Sequence, residues 1–210
     1  SAFAMTEPDV ASSDATNIQL SIVRDGDEYV LNGRKWWISG AASDRCKIFI
    51  VMGKTDPTAS RHLQQSMILV PRDTPGLHAE ALPGRELGHR ASNHARLVLT
   101  DVRVPLGSRL GPARGGHDLA MRALEVSRLN VAAGAVGIHR ACLEASTAFA
   151  RSRRQFGQRV GDFQQVGAEL ADMAVELEAA RLLVHQAARL VDAGKPHAST
   201  VAMAKLFATE

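Results

Sequence analysis

The chain has 210 residues, 45% of them hydrophobic and 22% charged, a composition that excludes a disordered polymer. No run approaches the roughly 20 consecutive apolar residues of a membrane span, and a net charge of only +3 argues against a dedicated nucleic-acid binder. Cys46 and Cys142 lie in dissimilar segments and form no CxxC pair, so no disulfide framework is expected and a reducing compartment fits.

The first hundred residues are divided by turn chemistry at Asp25-Gly26-Asp27, Asn32-Gly33, Thr74-Pro75-Gly76 and Pro83-Gly84. Between these turns the β-branched and aromatic runs predict strands at Ile18–Arg24, Glu28–Asn32, Arg34–Ser39, Cys46–Val51, Ser66–Val70, Leu77–Leu82 and Arg96–Val102. With no helix-length spacer among them, an antiparallel barrel or sandwich is expected over residues 1–105. Residues 106–116 read as a linker, with Gly107, Gly111, Pro112, Gly115 and Gly116. From residue 117 the period is helical. Leu124, Arg128, Val131, Ala135, Ile138, Cys142, Ala145 and Phe149 form one stripe, in which Arg128 is the one charge. After a break at Gly157–Gly161, a second stripe runs from Phe163 through Leu170, Leu177 and Val184 to Val191. Gly194 then stands where a helix-ending glycine belongs, and Pro196 can open a third helix that runs uncapped to Glu210. The expected class is α+β and multidomain: a β-barrel or sandwich domain, then an incomplete up-down helical bundle over 117–210. Two long helices and part of a third cannot close a bundle core alone. The start, Ser1-Ala2-Phe3-Ala4-Met5-Thr6, shows neither a basic region with an apolar run nor an initiator Met, so an internal piece of a longer protein is expected.

Four segments could carry chemistry. The stretch Phe3–Asp14 is dense in hydroxyls, small residues and acids, and suits either an anionic or heteroaromatic ligand or a solvated turn. Trp36 and Trp37 are adjacent on a predicted strand, so one faces away from the core, where it could stack on a flat ligand with Ser39 on its face; a core Trp beside an edge Trp is the plainer alternative. Arg151, Arg153, Arg154 and Arg159 surround Phe156 and Gly157, and suit a pyrophosphate clamp or a solvated helix end. Arg128, on an apolar stripe, needs a ligand or an ion-pair partner. The eight histidines take no metal-ligand spacing, and GxGxxG, Walker A and GxSxG motifs are all missing.

Together these segments resemble the acyl-CoA dehydrogenase family. The resemblance rests on Phe3-Ala4-Met5-Thr6-Glu7-Pro8 with Ser12, on Trp37-Ile38-Ser39, and on Arg90-Ala91-Ser92 followed by Val102-Arg103-Val104-Pro105. Ser127-Arg128-Leu129 with Ala132–Gly137, and Arg153-Arg154-Gln155-Phe156-Gly157 with Phe163-Gln164, complete it. It covers the family's middle β-domain and the start of its C-terminal helical domain, and is nearest the subgroup with human members ten and eleven. The resemblance implies FAD as cofactor, with Phe3, Met5, Thr6, Trp37, Ile38 and Ser39 lining the flavin ring. Arg153, Phe156 and Gln164 would reach the FAD of a neighbouring subunit, and Ser12 and Arg128 would meet the acyl-CoA. It further implies α,β-dehydrogenation of an acyl-CoA thioester in fatty acid β-oxidation, electron transfer to an electron-transferring flavoprotein, and a homotetramer or homodimer. The location would be cytoplasmic in a bacterium, which is preferred, or the mitochondrial matrix in a eukaryote. In most members the catalytic glutamate lies beyond the position of Glu210; in a minority it immediately precedes the arginine, where this chain has Ser127. Asp9-Val10-Ala11 also replace glycines usual in the family, and Val10 restricts close backbone approach. An acyl-CoA oxidase or flavin monooxygenase on the same scaffold, or an inactive interaction module, are the alternatives.

Overall fold

The computed structural model describes residues 1–11, 14–82, 93–195 and 197–210. Ser12, the Arg90-Ala91-Ser92 motif, the Pro83-Gly84 turn and Pro196 lie outside the described residues. The chain divides into two compact units, Ser1–Met121 and Arg122–Glu210.

The first unit is a sheet of eight strands: β1 (Ala2–Ala4), β2 (Ser21–Asp25), β3 (Glu28–Ser39), β4 (Ile48–Lys54), β5 (Gln65–Pro71), β6 (Leu77–Ala81), β7 (His94–Pro105) and β8 (Arg109–Leu110). Their order is β6-β7-β3-β2-β4-β5-β8, and β1 runs parallel to β4. Among the described residues the sheet is therefore open, with β6 and β8 at the two ends of that order, rather than a closed barrel. It is antiparallel apart from the β1–β4 pairing and a single β2–β4 contact. Leu31, Ile38, Phe49, Val51, Ile68, Val70, Leu97 and Leu99 form the main core, as strand alternation requires. A second cluster of Ile18, Met52, Met67 and Ala120 has Phe3, Met5 and Ile50 packed against it.

Three departures from the sequence reading have local causes. Asn32-Gly33 is not a turn; β3 runs straight through it with a register shift against β7. Gly33 has φ 151°, and a Cβ there would lie 2.9 Å from Leu20 Cα. The Asn32 side chain meanwhile accepts the Asp101 N–H at 2.8 Å, where β7 carries one extra residue opposite the pair and Asp101 takes φ 50°, so the pair faces a bulge in β7 and is no hairpin turn. The strand expected from Ile18 begins only at Ser21, because the Gln19 and Leu20 amides donate to the Glu7 carboxylate instead of a neighbouring strand. Within the expected linker, Arg109–Leu110 pair with β5.

In the second unit, helix α1 (Gly116–Ser152, beginning in the first unit) is followed by a small hairpin of β9 (Arg154–Gln155) and β10 (Gln158–Arg159), then α2 (Gln164–Asp192) and α3 (Ala198–Thr209). Ala132 of α1, Ala180, Val184 and Ala187 of α2, and Val201, Ala204 and Ala208 of α3 form the core, where small side chains let the helices approach closely. The α2 stripe packs as its periodicity predicts. The end of α2 does too: Gly194 has φ 63°, its N–H reaches the Val191 carbonyl, and the Lys195 N–H reaches that of Leu190, a Schellman closure.

On α1 the expected stripe is displaced. Val131, Ile138 and Phe149 are 50%, 64% and 63% exposed; Ala135 of that stripe does pack against the core, but the packed face runs one residue over, through Leu129, Ala132 and Val136. Arg128 is itself exposed. Its charge is therefore not buried, and needs no compensating partner on that ground.

Candidate functional site

The centre of the first unit's site is a buried ion pair that the sequence reading passed over. Lys35 is completely buried on β3, and its Nζ donates to Glu7 Oε1 and to the Met5 carbonyl, both at 2.8 Å. Glu7, almost fully buried, also accepts the backbone N–H groups of Gln19 at 2.6 Å and Leu20 at 2.9 Å. Burial pushes the Lys35 ammonium down to about 8, and the Glu7 carboxylate opposes that shift. The pair fastens the Met5–Glu7 segment, the residues before β2, and β3 into one assembly. A signal for it existed: Lys35 is in phase with Tyr29 and Leu31 along β3, which places it on the inward face.

Against that anchor the Thr6 segment runs beside β3. The Thr6 hydroxyl donates to the Trp36 carbonyl at 2.6 Å, and the Trp36 N–H donates to the Thr6 carbonyl at 3.1 Å. One residue on, the β3–β7 register shifts between Lys35 and Ile38, and Trp37 takes φ 54°, a left-handed conformation rare for a bulky side chain. This bulge overturns the expectation that Trp36 and Trp37 point to opposite faces; their rings lie 6.0 Å apart with a 53° tilt. Trp37 remains 37% exposed, and its ring meets that of His94 edge-on at 5.8 Å. Ile38 returns to the core, while Ser39 is exposed with its Oγ 3.0 Å from His94 Nδ1. Phe3 and Met5 are half-buried. Asn93 Oδ1 is buried without a hydrogen-bond partner, beside the Gly40 N–H that donates to the Asn93 carbonyl at 2.7 Å.

In the second unit, Arg153 precedes the β9–β10 hairpin and Phe156 sits at its tip with φ 49°, 93% exposed. Its ring meets Phe163 edge-on at 6.3 Å, and Gln164 opens α2 exposed. The structure thus gathers Phe3, Met5, Thr6, Trp37 and Ser39 on one part of the sheet, and Arg153, Phe156 and Gln164 around one hairpin. Ser127 and Arg128 are adjacent and exposed on α1, and Ser12 is not described. A further pair invisible to sequence spacing is His62 with His117, whose Nδ1 and Nε2 are 3.4 Å apart although 55 residues separate them in the chain. Among the described residues, no helix is long and apolar enough to cross a membrane.

The family description "Acyl-CoA dehydrogenase, middle domain" matches residues 2–102, and "Acyl-CoA dehydrogenase, C-terminal domain" matches residues 114–210. The chain belongs to the acyl-CoA dehydrogenase family. The probable acyl-CoA dehydrogenase YngJ of Bacillus subtilis is 42% identical over 208 residues, which are 99% of this chain and 54% of that protein. The crystal structure of an acyl-CoA dehydrogenase from Geobacillus kaustophilus superposes with a TM-score of 0.90 at 35% identity, over 99% of this chain and 54% of that one. PigA with FAD and proline superposes with a TM-score of 0.90 at 32% identity, over 99% and 53% of the two chains. The chain thus spans about half the length of these relatives. Acyl-CoA dehydrogenases are FAD-dependent oxidoreductases, and this chain has the residues of that family's middle β-domain folded as a middle β-domain.

Proposed function

We propose that the chain carries the flavin-ring site of an FAD-dependent acyl-CoA dehydrogenase, which converts an acyl-CoA thioester to its trans-2-enoyl-CoA. The observation that carries the proposal is the convergence of Thr6, the bulged Trp37 and Ser39 at one exposed part of an otherwise packed sheet. Hydroxyls, main-chain groups, an exposed indole and the apolar Phe3 and Met5 suit a flat heteroaromatic ring with a hydrogen-bonding edge. The orphaned Asn93 Oδ1 is a further acceptor in search of a donor there. When bound, FAD supplies the two-electron acceptor for the β-hydride.

The chain's own residues orient and shield. Trp37 offers an indole face braced by His94, and its bulge keeps that ring out of the core. The Thr6 hydroxyl donates its hydrogen bond to the Trp36 carbonyl, so its oxygen is left to accept. Arg153 and Phe156, extended on the β9–β10 hairpin, are arranged for a ligand that their own unit does not supply, and a guanidinium there matches a pyrophosphate of the neighbouring subunit's FAD. Gln164 at the start of α2 joins them as a polar contact. Arg128, exposed on α1, meets the acyl-CoA, as Ser12 does. Ser127 has no activating neighbour among the described residues and is not the base that removes the α-proton.

Electrons pass from the flavin to an electron-transferring flavoprotein. The assembly is a homotetramer of fatty acid β-oxidation, located in the cytoplasm of a bacterium or in the mitochondrial matrix. Anaerobic addition of acyl-CoA to the purified protein at its natural length is expected to bleach a yellow flavin spectrum, with reoxidation by an electron-acceptor dye faster than by dioxygen. A colourless protein that does not take up FAD refutes the proposal, and faster reoxidation by dioxygen makes it an oxidase instead.

A further inference from the structure

The Met5 carbonyl accepts from Lys35 Nζ at 2.8 Å, and Lys35 is completely buried, so this carbonyl points into the core. None of the described peptide bonds is cis, and in a trans peptide the C=O and N–H of one unit point in opposite directions. The other end of this unit is the Thr6 N–H, which is therefore directed away from the buried ammonium. Among the described residues it has no hydrogen-bond partner. Thr6 is half-buried, and its hydroxyl and carbonyl are both committed to the Trp36 main chain, which leaves this N–H as its one uncommitted donor. A single peptide unit thus has a buried cation at one end and the proposed flavin site at the other.

We propose that Lys35 is a positioning residue for the flavin, its charge passing through the Met5–Thr6 peptide to make the Thr6 N–H a stronger donor toward the edge of the bound ring. The inference rests on the flavin reading above. A carbonyl that accepts from an ammonium is polarised, and the amide's partial double bond carries that polarisation to its N–H. Acceptor atoms at the ring's edge become more negative when the ring takes up two electrons. A donor backed by a cation favours that more negative state over the oxidised one. Without Lys35 the same unit would offer only the dipole of an ordinary amide. Glu7 has the complementary part: it holds the ammonium charged in a fully buried place, and is itself fixed by the Gln19 and Leu20 amides. A buried ion pair adds little net stability; this one has its cation on the peptide that leads to the site.

The test is an anaerobic redox titration of the flavin-loaded protein at its natural length, followed by visible absorbance. Glu7→Gln/Lys35→Met removes both charges, so the net charge of the region is unchanged. It is expected to raise the oxidised-to-reduced ratio at fixed potential about tenfold, a midpoint about 30 mV lower for a two-electron couple. Replacing Thr6 by its α-hydroxy acid turns the Met5–Thr6 amide into an ester, which keeps the threonine side chain and removes the N–H. The ester should lower the midpoint at least as far, and all three changes together no further than the ester alone. In the oxidised parent labelled with nitrogen-15 threonine, the Thr6 amide proton should move upfield as Lys35 loses its proton near pH 8, a readout that needs no variant to fold. An unchanged or raised midpoint in Glu7→Gln/Lys35→Met overturns the role of Lys35 and leaves the flavin reading standing. A Thr6 resonance that does not follow Lys35 does the same. Additive shifts also overturn it, because Lys35 would then act without that N–H. If the ion pair only holds the Thr6 segment in place, a stable double variant keeps the parent midpoint. A natural-length protein that takes up no flavin overturns both readings.

Discussion

Replacing Lys35 by Met tests whether the buried ion pair is what holds the Thr6 segment in place. Lys35 Nζ and the Glu7 carboxylate are both out of water, and Glu7 has two backbone N–H donors besides the ammonium. The fall of the Lys35 ammonium from 10.5 to about 8 means that burial disfavours its charged form by about 3 kcal/mol even with Glu7 beside it. The pair is therefore a weak source of net stability but a costly one to break. Lys35→Met retains the buried stem, leaves Glu7 charged without its cation, and leaves the Met5 carbonyl without its donor. A loss of about 3–5 kcal/mol is expected. The double variant Glu7→Gln/Lys35→Met removes both charges, and its amide can still accept from one backbone N–H; it should recover to within about 1 kcal/mol of the parent. Urea denaturation followed by tryptophan fluorescence reports this region directly, since the chain's two tryptophans, Trp36 and Trp37, immediately follow Lys35. The pH dependence supplies an independent check. The folded-state value lies below the unfolded one, so between pH 8 and 10.5 the unfolded chain holds the extra proton and stability rises with pH. Below pH 8 both states are protonated, and this slope disappears. The rise should be present in the parent and missing from Lys35→Met. A single variant within about 1 kcal/mol of the parent, or a double variant as unstable as the single one, would refute the reasoning.

Gly33→Ala places a Cβ 2.9 Å from Leu20 Cα at a φ of 151°, and should lower stability by about 2 kcal/mol or more in thermal melts; an unchanged melting temperature would show that the bulge relaxes. His117 is held below the usual histidine range by partial burial first and by His62 second. The stability linked to it is complete above pH 6.5 and falls as the pH drops below that value, and in an NMR titration His62→Gln should move the His117 midpoint upward. Arg153→Gln should lower flavin occupancy at purification about tenfold while leaving the urea midpoint unchanged, because the side chain is exposed; loss of both together would assign Arg153 a role in folding instead.

How far the fold could be read from the sequence depended on whether local pattern and long-range partner agreed. The α2 stripe and its Gly194 ending were readable because the packing face and the cap are set by residues within the same helix. The α1 stripe was not, since Val131, Ile138 and Phe149 have the right spacing while the face that α2 and α3 cover lies one residue over. Periodicity says that a helix has an apolar side, and the neighbours decide which part of it is covered. The site divides the same way. Trp37, Ser39 and Thr6 announce themselves as motif residues, but their geometry depends on groups far away in the chain: a register shift against β7, a carboxylate that takes the amides before β2, and an imidazole 55 residues beyond Ser39. Each of these partners is an ordinary residue in sequence. Lys35 looks like a surface lysine until strand phase places it inward, and His94 has no local motif at all. The motif residues supply the groups, and the unremarked ones fix which way a hydroxyl or an indole points; a residue-by-residue match to the family therefore does not by itself give that orientation.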